Sequence, residues 1–341
     1  MASLKKIKDI ELIEVRNKRT GLWRYLEVPL KLFWARISKR PDVFFVGFRA
    51  HEIFWALYLL MFGKKIIFDE FIDHHDWLAS EHSKVLFGEN SILIKILDAY
   101  MGLVMRLSSA VLTDTVAHAE LAVKHYKIPR QKVHAIPVGT DEAVFYPRDD
   151  HSKSDYLNLF FYGNMLPLHG LPIILDAIKV VTKSGQSERL RLVIAGGKGN
   201  PRMIKTITTF IRDNNLSSRV EYIPWIPYSD LPGYVAQADL CLGGPFGNTG
   251  QANRVITGKT FQFLAMSKPT IIGRIEELKG FKDKKNCLIV KQDSAGDLAD
   301  AVLWALNNKR RLPEIGKAGR SLYQENFSQN IIAGRLRSLI G

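Results

Sequence analysis

Apolar residues in this chain cluster in short runs, which alternate with longer segments where they recur every three or four positions. A short apolar run predicts a buried strand, and the helical repeat predicts an amphipathic helix. The predicted strands are residues 42–46, 65–68, 110–113, 133–138, 157–162, 191–195, 220–223, 240–242 and 270–272. The predicted helices are residues 52–62, 92–107, 115–126, 171–183, 204–214, 228–237, 297–307 and 312–326. This alternation predicts an α/β protein whose parallel sheets are covered by helices.

A polar passage that contains Pro147 interrupts the alternation at residues 139–154. We expect the domain boundary there, which divides the chain into residues 1–148 and 149–341. Each part has the strands and helices of an open, Rossmann-like parallel sheet. Such sheets bind ligands at the carboxyl ends of their strands, so a ligand is expected in a cleft between the two domains.

The net charge and the cysteine content limit the classes of binding partner and the cellular setting. The net charge of +14 indicates anionic partners: nucleotide phosphates, anionic lipid head groups or nucleic acid. Nothing resembles a nucleic-acid recognition helix or an RNA-binding aromatic signature, which excludes the last class. Cys241 and Cys287 both lie in apolar runs and indicate a reduced, cytoplasmic setting. The longest apolar run, residues 53–62, is about half the roughly 20 residues that a membrane-spanning helix needs.

Residues 22–40 mix aromatic and basic side chains at helical spacing. Two interpretations stay open. Either the segment is an amphipathic helix that contacts an anionic membrane surface, or it is a helix packed on the first sheet with a solvated basic face.

The most informative motif is residues 238–273, in which a short strand leads into a Gly/Pro/Asn loop and then into a helix carrying Lys259 and Gln262. A glycine-rich loop that opens a helix presents backbone N–H groups and the positive end of the helix dipole to an anion. Lys259 adds a positive charge. The motif therefore predicts a site for a phosphorylated ligand.

Three other ligand classes fit poorly. A nucleoside triphosphatase loop needs a glycine where Asn253 precedes the Gly-Lys-Thr of residues 258–260. No G-x-G-x-x-G follows a predicted strand, which argues against a dinucleotide oxidoreductase. His74, His75 and Asp76 are the nearest approach to a metal-ligand cluster, but adjacent side chains diverge and a solvated loop is the better interpretation. No metal or cofactor is predicted.

Four passages in this order resemble the GT-B-fold glycosyltransferases of family 4, which are retaining, nucleotide-sugar-dependent enzymes. The resemblance covers about residues 42–340. Its motifs are Ser-Ser-Ala-Val to Phe-Tyr-Pro (108–147), Leu-Phe-Phe-Tyr-Gly-Asn to Asp-Ala-Ile (159–178), Arg-Leu-Val-Ile-Ala-Gly-Gly with the following strand and helix (191–242), and the lysine motif itself.

The resemblance implies roles for individual residues in donor binding. Gly163 lets its loop approach the donor diphosphate, and Lys259 matches a lysine that binds that diphosphate. Asn164 and His169 stand where relatives carry a positive pair, and His169 is left to donate a hydrogen bond, or a charge if its pKa is raised. The loop ending at Gly250 places backbone amides near the sugar.

Two further positions depart from the family pattern. Gln262 and Arg254 stand where the family carries two glutamates. Gln262 keeps an acceptor for the ribose hydroxyls, and Arg254 is expected to stabilise the departing phosphate together with Lys259.

Each of these positions also has an ordinary structural interpretation. Lys259 is a solvated lysine at a helix start, Gln262 a surface residue, His169 a loop residue satisfied by backbone, and Arg254 a partner of Glu276 or Glu277. Likewise the whole chain, with its departures from the family pattern, is open to a second interpretation as a non-catalytic nucleotide-sugar-binding relative.

On the acceptor side, Asp69 and His51 follow predicted strands of the first domain and are the candidate catalytic residues there. Retaining transfer in this family takes place on one face of the sugar and requires no metal or cofactor. The resemblance implies a nucleotide-diphosphate sugar donor and a saccharide or lipid-linked acceptor, in cell-envelope polysaccharide or glycolipid synthesis. The implied location is cytoplasmic, with peripheral attachment to the inner face of the membrane.

The beginning of the chain departs from the family. Residues 4–15 resemble the second strand of the family's first domain. The first domain is therefore expected to lack one strand, a glycine loop and a helix.

Overall fold

The computed structural model describes residues 2–19, 21–47, 49–73, 92–148, 155–185 and 187–341. Within them the strands form two sheets, and every pairing is parallel. The chain divides into two compact units: the first is Met1–Pro137 with Ile332–Gly341, and the second is Val138–Ile331. Among the described residues no helix combines the length and the hydropathy needed to span a bilayer.

The strands and helices of the described residues follow the predicted alternation. The strands are β1 (Val43–Val46), β2 (Lys65–Asp69), β3 (Ala110–Thr113), β4 (Val133–Ala135), β5 (Leu157–Gly163), β6 (Leu190–Gly196), β7 (Val220–Ile223), β8 (Leu240–Leu242), β9 (Thr270–Gly273) and β10 (Leu288–Val290). The helices are α1 (Arg24–Lys39), α2 (Phe54–Met61), α3 (Ile92–Leu107), α4 (Val116–Tyr126), α5 (Leu171–Lys183), α6 (Pro201–Asp213), α7 (Leu231–Gln237), α8 (Gly250–Arg254), α9 (Gly258–Ala265), α10 (Ala295–Asn307), α11 (Leu312–Asn326) and α12 (Gln329–Ile340).

The first unit has a four-stranded sheet in the order β1-β2-β3-β4. One apolar cluster, which includes Phe68, Val104 and Val111, packs helices against it. A second cluster joins Leu4 and Ile7 to Ile67, Leu112 and residues 332–336. The last residues of the chain thus pack in the first unit, whereas the predicted division put them in the second domain.

The beginning of the chain is not the strand that its resemblance predicted. Residues 4–6 form a 3-10 turn (Leu4–Lys6), and the backbone of residues 10–17 is irregular. The apolar residues that suggested a strand are there because they pack in the core. Leu4 and Ile7 are buried in the second cluster, and their backbone does not pair with β1.

The second unit has a six-stranded sheet in the order β10-β9-β8-β5-β6-β7. Residues 138–148, which the sequence placed in the first domain, pack on this unit. Phe145 is buried beside Phe160, and the Glu142 carboxylate accepts hydrogen bonds from the Tyr323 hydroxyl at 3.1 Å and the Gln329 amide at 2.8 Å. Residues 138–148 therefore belong to the second unit, in which Phe145 is buried.

Candidate functional site

Lys259 is a buried cation in the first turn of α9. Its side chain is 5% exposed, and its Nζ has no hydrogen-bond partner among the described residues. Burial lowers the pKa of Lys259 to about 7, and its Nζ lies 5.3 Å from the centre of the Phe161 ring. The first turn of a helix is also where the dipole disfavours a cation. Lys259 is therefore not a solvated lysine, and an anion is the group that would satisfy it.

His169 faces the same place from the loop after β5. Its Nδ1 is buried without a hydrogen-bond partner among the described residues. A Cβ added to Gly163 would lie 2.8 Å from that nitrogen, so only glycine leaves room for the ring. Burial, and then the charge of Lys259, hold the pKa of His169 well below its usual value. In the unliganded protein this favours the neutral ring, which is left to exchange a hydrogen bond.

The two glycine loops interlock behind these side chains. The Gly247 amide donates to the Leu168 carbonyl at 3.0 Å, and a Cβ on Gly247 would lie 2.1 Å from the Pro167 carbonyl oxygen. Gly170 has a φ of +67°, and its added Cβ would lie 2.6 Å from the Gly247 nitrogen. Close backbone contact between the loops therefore positions His169 and the entry to α8 together.

The start of α9 is attached to the end of β8 by threonine hydroxyls. Thr257 Oγ1 donates to the Gly243 carbonyl at 2.6 Å and lies 3.1 Å from Thr260 Oγ1. The glycine loop and the lysine helix therefore hold a fixed relation, as a preorganised anion site requires.

Gln262 lies one turn along α9 from Lys259 and is half-buried. Its Oε1 accepts a hydrogen bond from the Tyr162 hydroxyl at the end of β5. Burial raises the pKa of Tyr162, so the phenol stays a donor. Sequence reasoning missed Tyr162; its place at a strand end beside Gly163 was the available signal.

The remaining donor-side candidates lie around this group. Gly250 begins α8, whose N-terminus is capped by the Thr249 hydroxyl, and Arg254 ends the same helix and is half-buried. Asn164 is exposed. The structure thus brings Gly163, His169 and Lys259 together, places Gln262 beside them, and keeps Gly250 and Arg254 on the adjoining short helix.

The two acceptor-side candidates lie in the first unit. Asp69 ends β2, and burial, together with the nearby Asp114, raises its pKa to about 6. His51 lies in the 3-10 turn Ala50–Ile53, and burial lowers its pKa. His74, His75 and Asp76 lie outside the described residues.

The glycines behind the site allow a stability test. Gly196 ends β6 with a φ of +126°, and an added Cβ would lie 1.9 Å from the Gly163 carbonyl oxygen. Gly199 also has a positive φ, +85°, but nothing lies within 4 Å of its added Cβ. We expect Gly196→Ala to lower the free energy of unfolding by about 2–5 kcal/mol, through steric overlap and backbone strain.

Gly199→Ala is the matched control and carries the backbone strain alone, about 1–2 kcal/mol. Urea unfolding of both variants measures the difference. Equal losses would show that the close contact between Gly163 and Gly196 does not constrain the loop.

Comparison with known proteins agrees with this architecture. Residues 157–308 match the model of the family described as Glycosyl transferases group 1. The mannosylfructose-phosphate synthase of Agrobacterium fabrum is 20% identical over 255 residues, which are 70% of this chain and 54% of that protein. The chain thus spans about half the length of this relative.

Two solved structures have similar folds. Sucrose-phosphate synthase from Thermosynechococcus elongatus has a TM-score of 0.69 at 16% identity, over 94% of this chain and 79% of that one. HepE of Anabaena, solved in complex with UDP, has a TM-score of 0.69 at 13% identity, over 94% and 83%.

These findings confirm the predicted fold class: an α/β protein with two Rossmann-like parallel sheets, the GT-B fold. The segment that resembles the Glycosyl transferases group 1 model, residues 157–308, contains the glycine loops, His169, Lys259 and Gln262.

Proposed function

We propose that the protein is a retaining glycosyltransferase that moves a sugar from a nucleotide-diphosphate donor to a saccharide or lipid-linked acceptor. The observation that supports this most directly is the buried Lys259 ammonium group without a hydrogen-bond partner among the described residues, beside the Nδ1 of His169. A diphosphate would satisfy both. The UDP bound by the structurally similar HepE is a ligand of this chemical class.

The proposed chemistry needs a stabilised leaving group. In retaining transfer on one face, the diphosphate departs as the anomeric carbon becomes cation-like, and it takes up the acceptor proton. Lys259, with a pKa of about 7 before the anion enters, becomes fully charged beside it. A fixed cation in a water-poor site stabilises developing phosphate charge far better than one in water.

The other candidates have supporting roles in this proposal. Arg254 adds positive charge from the end of α8, Gly163, Asn164 and Gly250 give the donor access to backbone amides, and Gln262 accepts from the ribose hydroxyls. Asp69 and His51 remain the proposed acceptor-side residues.

A second candidate function is nucleotide-sugar binding without transfer. It is favoured by two features: Asn164 is exposed and uncharged, and burial lowers the pKa of His169, so the positive pair of the family is not replaced. Binding of a sugar nucleotide with no turnover towards any acceptor or water would favour this candidate over the first.

Thermal unfolding in the presence of UDP, GDP and ADP tests the donor site. We expect one nucleoside diphosphate to raise the melting temperature selectively, because a ligand present at 100 times its Kd stabilises the folded state by about 2.7 kcal/mol. The matching nucleoside without phosphates is the control and should give no shift. Equal shifts with the nucleoside would contradict a diphosphate site.

We also propose that the first unit docks on an anionic bilayer. The turn before α1 and the exposed side of α1 carry apolar residues that recur every three or four positions: Leu22, Leu26, Leu30, Phe33 and Ile37. Together with Trp34 we call these the apolar face of α1. Leu26, Leu30 and Trp34 are 61%, 60% and 66% exposed. Trp55, Leu59 and Phe62 on and after the adjoining helix α2 are also exposed.

Exposed cations lie at the carboxyl end of this apolar face. Lys39 and Arg40 are exposed there, and Lys39 pairs with the exposed Glu11 at 3.1 Å. At the other end, Arg24 is paired with Glu52 of the turn before α2 at 2.6 Å. Large apolar side chains flanked by cations fit a membrane interface that carries anionic lipid. The proposed partner of this face is therefore a lipid bilayer, in keeping with a lipid-linked acceptor and peripheral attachment to the inner face of a cell membrane.

A further inference from the structure

A second cluster of buried polar side chains lies in the first unit, at the carboxyl ends of β2 and β3. Glu70 directly follows β2, and its amide donates to the Leu112 carbonyl of β3 at 2.9 Å. His118 lies in the first turn of α4, where its amide donates to Thr115 Oγ1 at 3.1 Å. The strand ladder and the helix cap therefore hold the two side chains next to each other.

The cluster is not satisfied by the described protein atoms. Glu70 and His118 are each 1% exposed. Both carboxylate oxygens of Glu70 and the Nε2 of His118 are buried without a hydrogen-bond partner among the described residues. Buried polar atoms are normally paired, so three unpaired atoms in one place indicate a missing ligand.

We propose that Glu70, Asp73 and His118 bind a divalent transition-metal ion of the Zn²⁺ or Mn²⁺ kind. One ligand atom from each residue lies within 4.8 Å of the other two. Ligand atoms lie about 2.0–2.2 Å from such an ion, so two ligands of one ion are at most about 4.4 Å apart. Small side-chain rotations close the remaining gap.

The surroundings of the three residues fit this assignment. His118 Nδ1 lies 2.8 Å from the buried Asp114 carboxylate, which leaves Nε2 for the ion. Metal-binding histidines almost always donate their other ring N–H to a carboxylate, a backbone carbonyl or water. The Tyr126 hydroxyl donates to Asp73 Oδ2 at 3.3 Å and orients that carboxylate. A doubly charged cation would also balance the negative charges of Glu70 and Asp73.

The ligand types select among ions. Mg²⁺ and Ca²⁺ prefer sites made of oxygen, whereas one imidazole with two carboxylates suits Zn²⁺ or Mn²⁺. Three protein ligands also leave coordination positions for water or another small ligand. The site stands independently of the donor site, since all its residues belong to the first unit.

Metal binding by the full chain tests the proposal. The protein is stripped with a chelator, dialysed, and titrated calorimetrically with ZnCl₂, MnCl₂ and MgCl₂, and bound metal is measured after gel filtration. We expect one Zn²⁺ or Mn²⁺ per chain and Mg²⁺ binding at least about 100-fold weaker. Absence of Zn²⁺ and Mn²⁺ uptake by the wild-type protein would overturn the site, and Glu70 would then be a neutral buried acid.

Substitutions of the proposed ligands and of Asp114 test where the ion binds. Glu70→Gln and His118→Gln should each weaken binding by about 100-fold or more, and Asp114→Asn, which keeps all three ligands, by about 10- to 100-fold. His125→Gln alters the other described imidazole–carboxylate pair, with Asp98 at 3.4 Å, and should bind as the wild type does. Circular dichroism checks each fold. Should one ligand variant not fold, the other and Asp114→Asn still decide, and unchanged affinity in those would overturn the proposal.

Discussion

Replacing Lys259 by methionine should abolish most nucleotide-sugar chemistry while making the unliganded protein more stable. Because the ammonium group is the buried cation at the start of α9, we expect kcat/KM for donor cleavage to fall about 100- to 1000-fold. The same change removes a buried charge without a described hydrogen-bond partner, which should raise the free energy of unfolding by about 1–3 kcal/mol. Release of nucleoside diphosphate and urea unfolding measure the two effects.

The pH dependence of this stabilisation has a defined sign. With a pKa of about 7 in the folded state, below the ordinary value of 10.5, Lys259 binds fewer protons when folded than when unfolded. The folded wild type therefore gains stability as pH rises from about 7 to 10.5, and the advantage of Lys259→Met is full below pH 7 and lost near 10.5. Nucleotide affinity should fall above pH 7 in the wild type only.

The matched control is Lys179→Met, which removes an exposed lysine on α5 of the same unit. It should change neither activity nor stability by more than the usual surface effect of about 0.5 kcal/mol. A Lys259→Met protein that is destabilised, or that binds nucleotide as well as wild type does, would contradict the anion site.

Placing acidic residues on the apolar face of α1 should release the protein from membranes. Leu30→Glu and Trp34→Glu together remove two side chains, each worth about 1.5–3 kcal/mol when buried, and add negative charge. We expect at least about a 100-fold loss of binding to vesicles that contain phosphatidylglycerol. Cosedimentation over a range of lipid concentrations measures it.

Val180→Glu is the control here, because Val180 is exposed on α5 in the second unit. This variant should bind vesicles as the wild type does. Neutral vesicles should bind the wild type more weakly than anionic ones, and added salt should have less effect on that binding. Two outcomes would contradict a lipid-binding role for this face. One is that the wild type binds neither kind of vesicle, and the other is that the double variant binds anionic vesicles as well as the wild type does.

Much of the fold followed from local pattern. The strands at residues 110–113, 220–223 and 240–242 and the helix at residues 312–326 are as predicted, because a buried parallel strand is a short apolar run and its covering helix repeats every three or four residues. Leu288–Val290 was not among the predicted strands, since the apolar run of residues 287–290 is too short to show a period.

The candidate site residues also fall into those that a local sequence pattern predicts and those that it does not. Lys259 and Gln262 were predicted because a glycine loop, a helix start and a lysine are close together in the chain, whereas Gly163 was predicted only from the family resemblance. Glu70 and His118 were missed as a pair because β3 separates them in sequence. The Asp114–His118 spacing across a helix cap was the available signal.

The sequence by itself determined the alternation of elements, the two parallel sheets and the glycine–lysine motif, because these depend on residues within one turn or one strand of each other. Tertiary structure decided that Lys259 and the Nδ1 of His169 are buried, that residues 332–341 pack in the first unit, and that Glu70 meets His118. Burial and hydrogen-bond pairing depend on which distant segments pack together, and no local pattern encodes that.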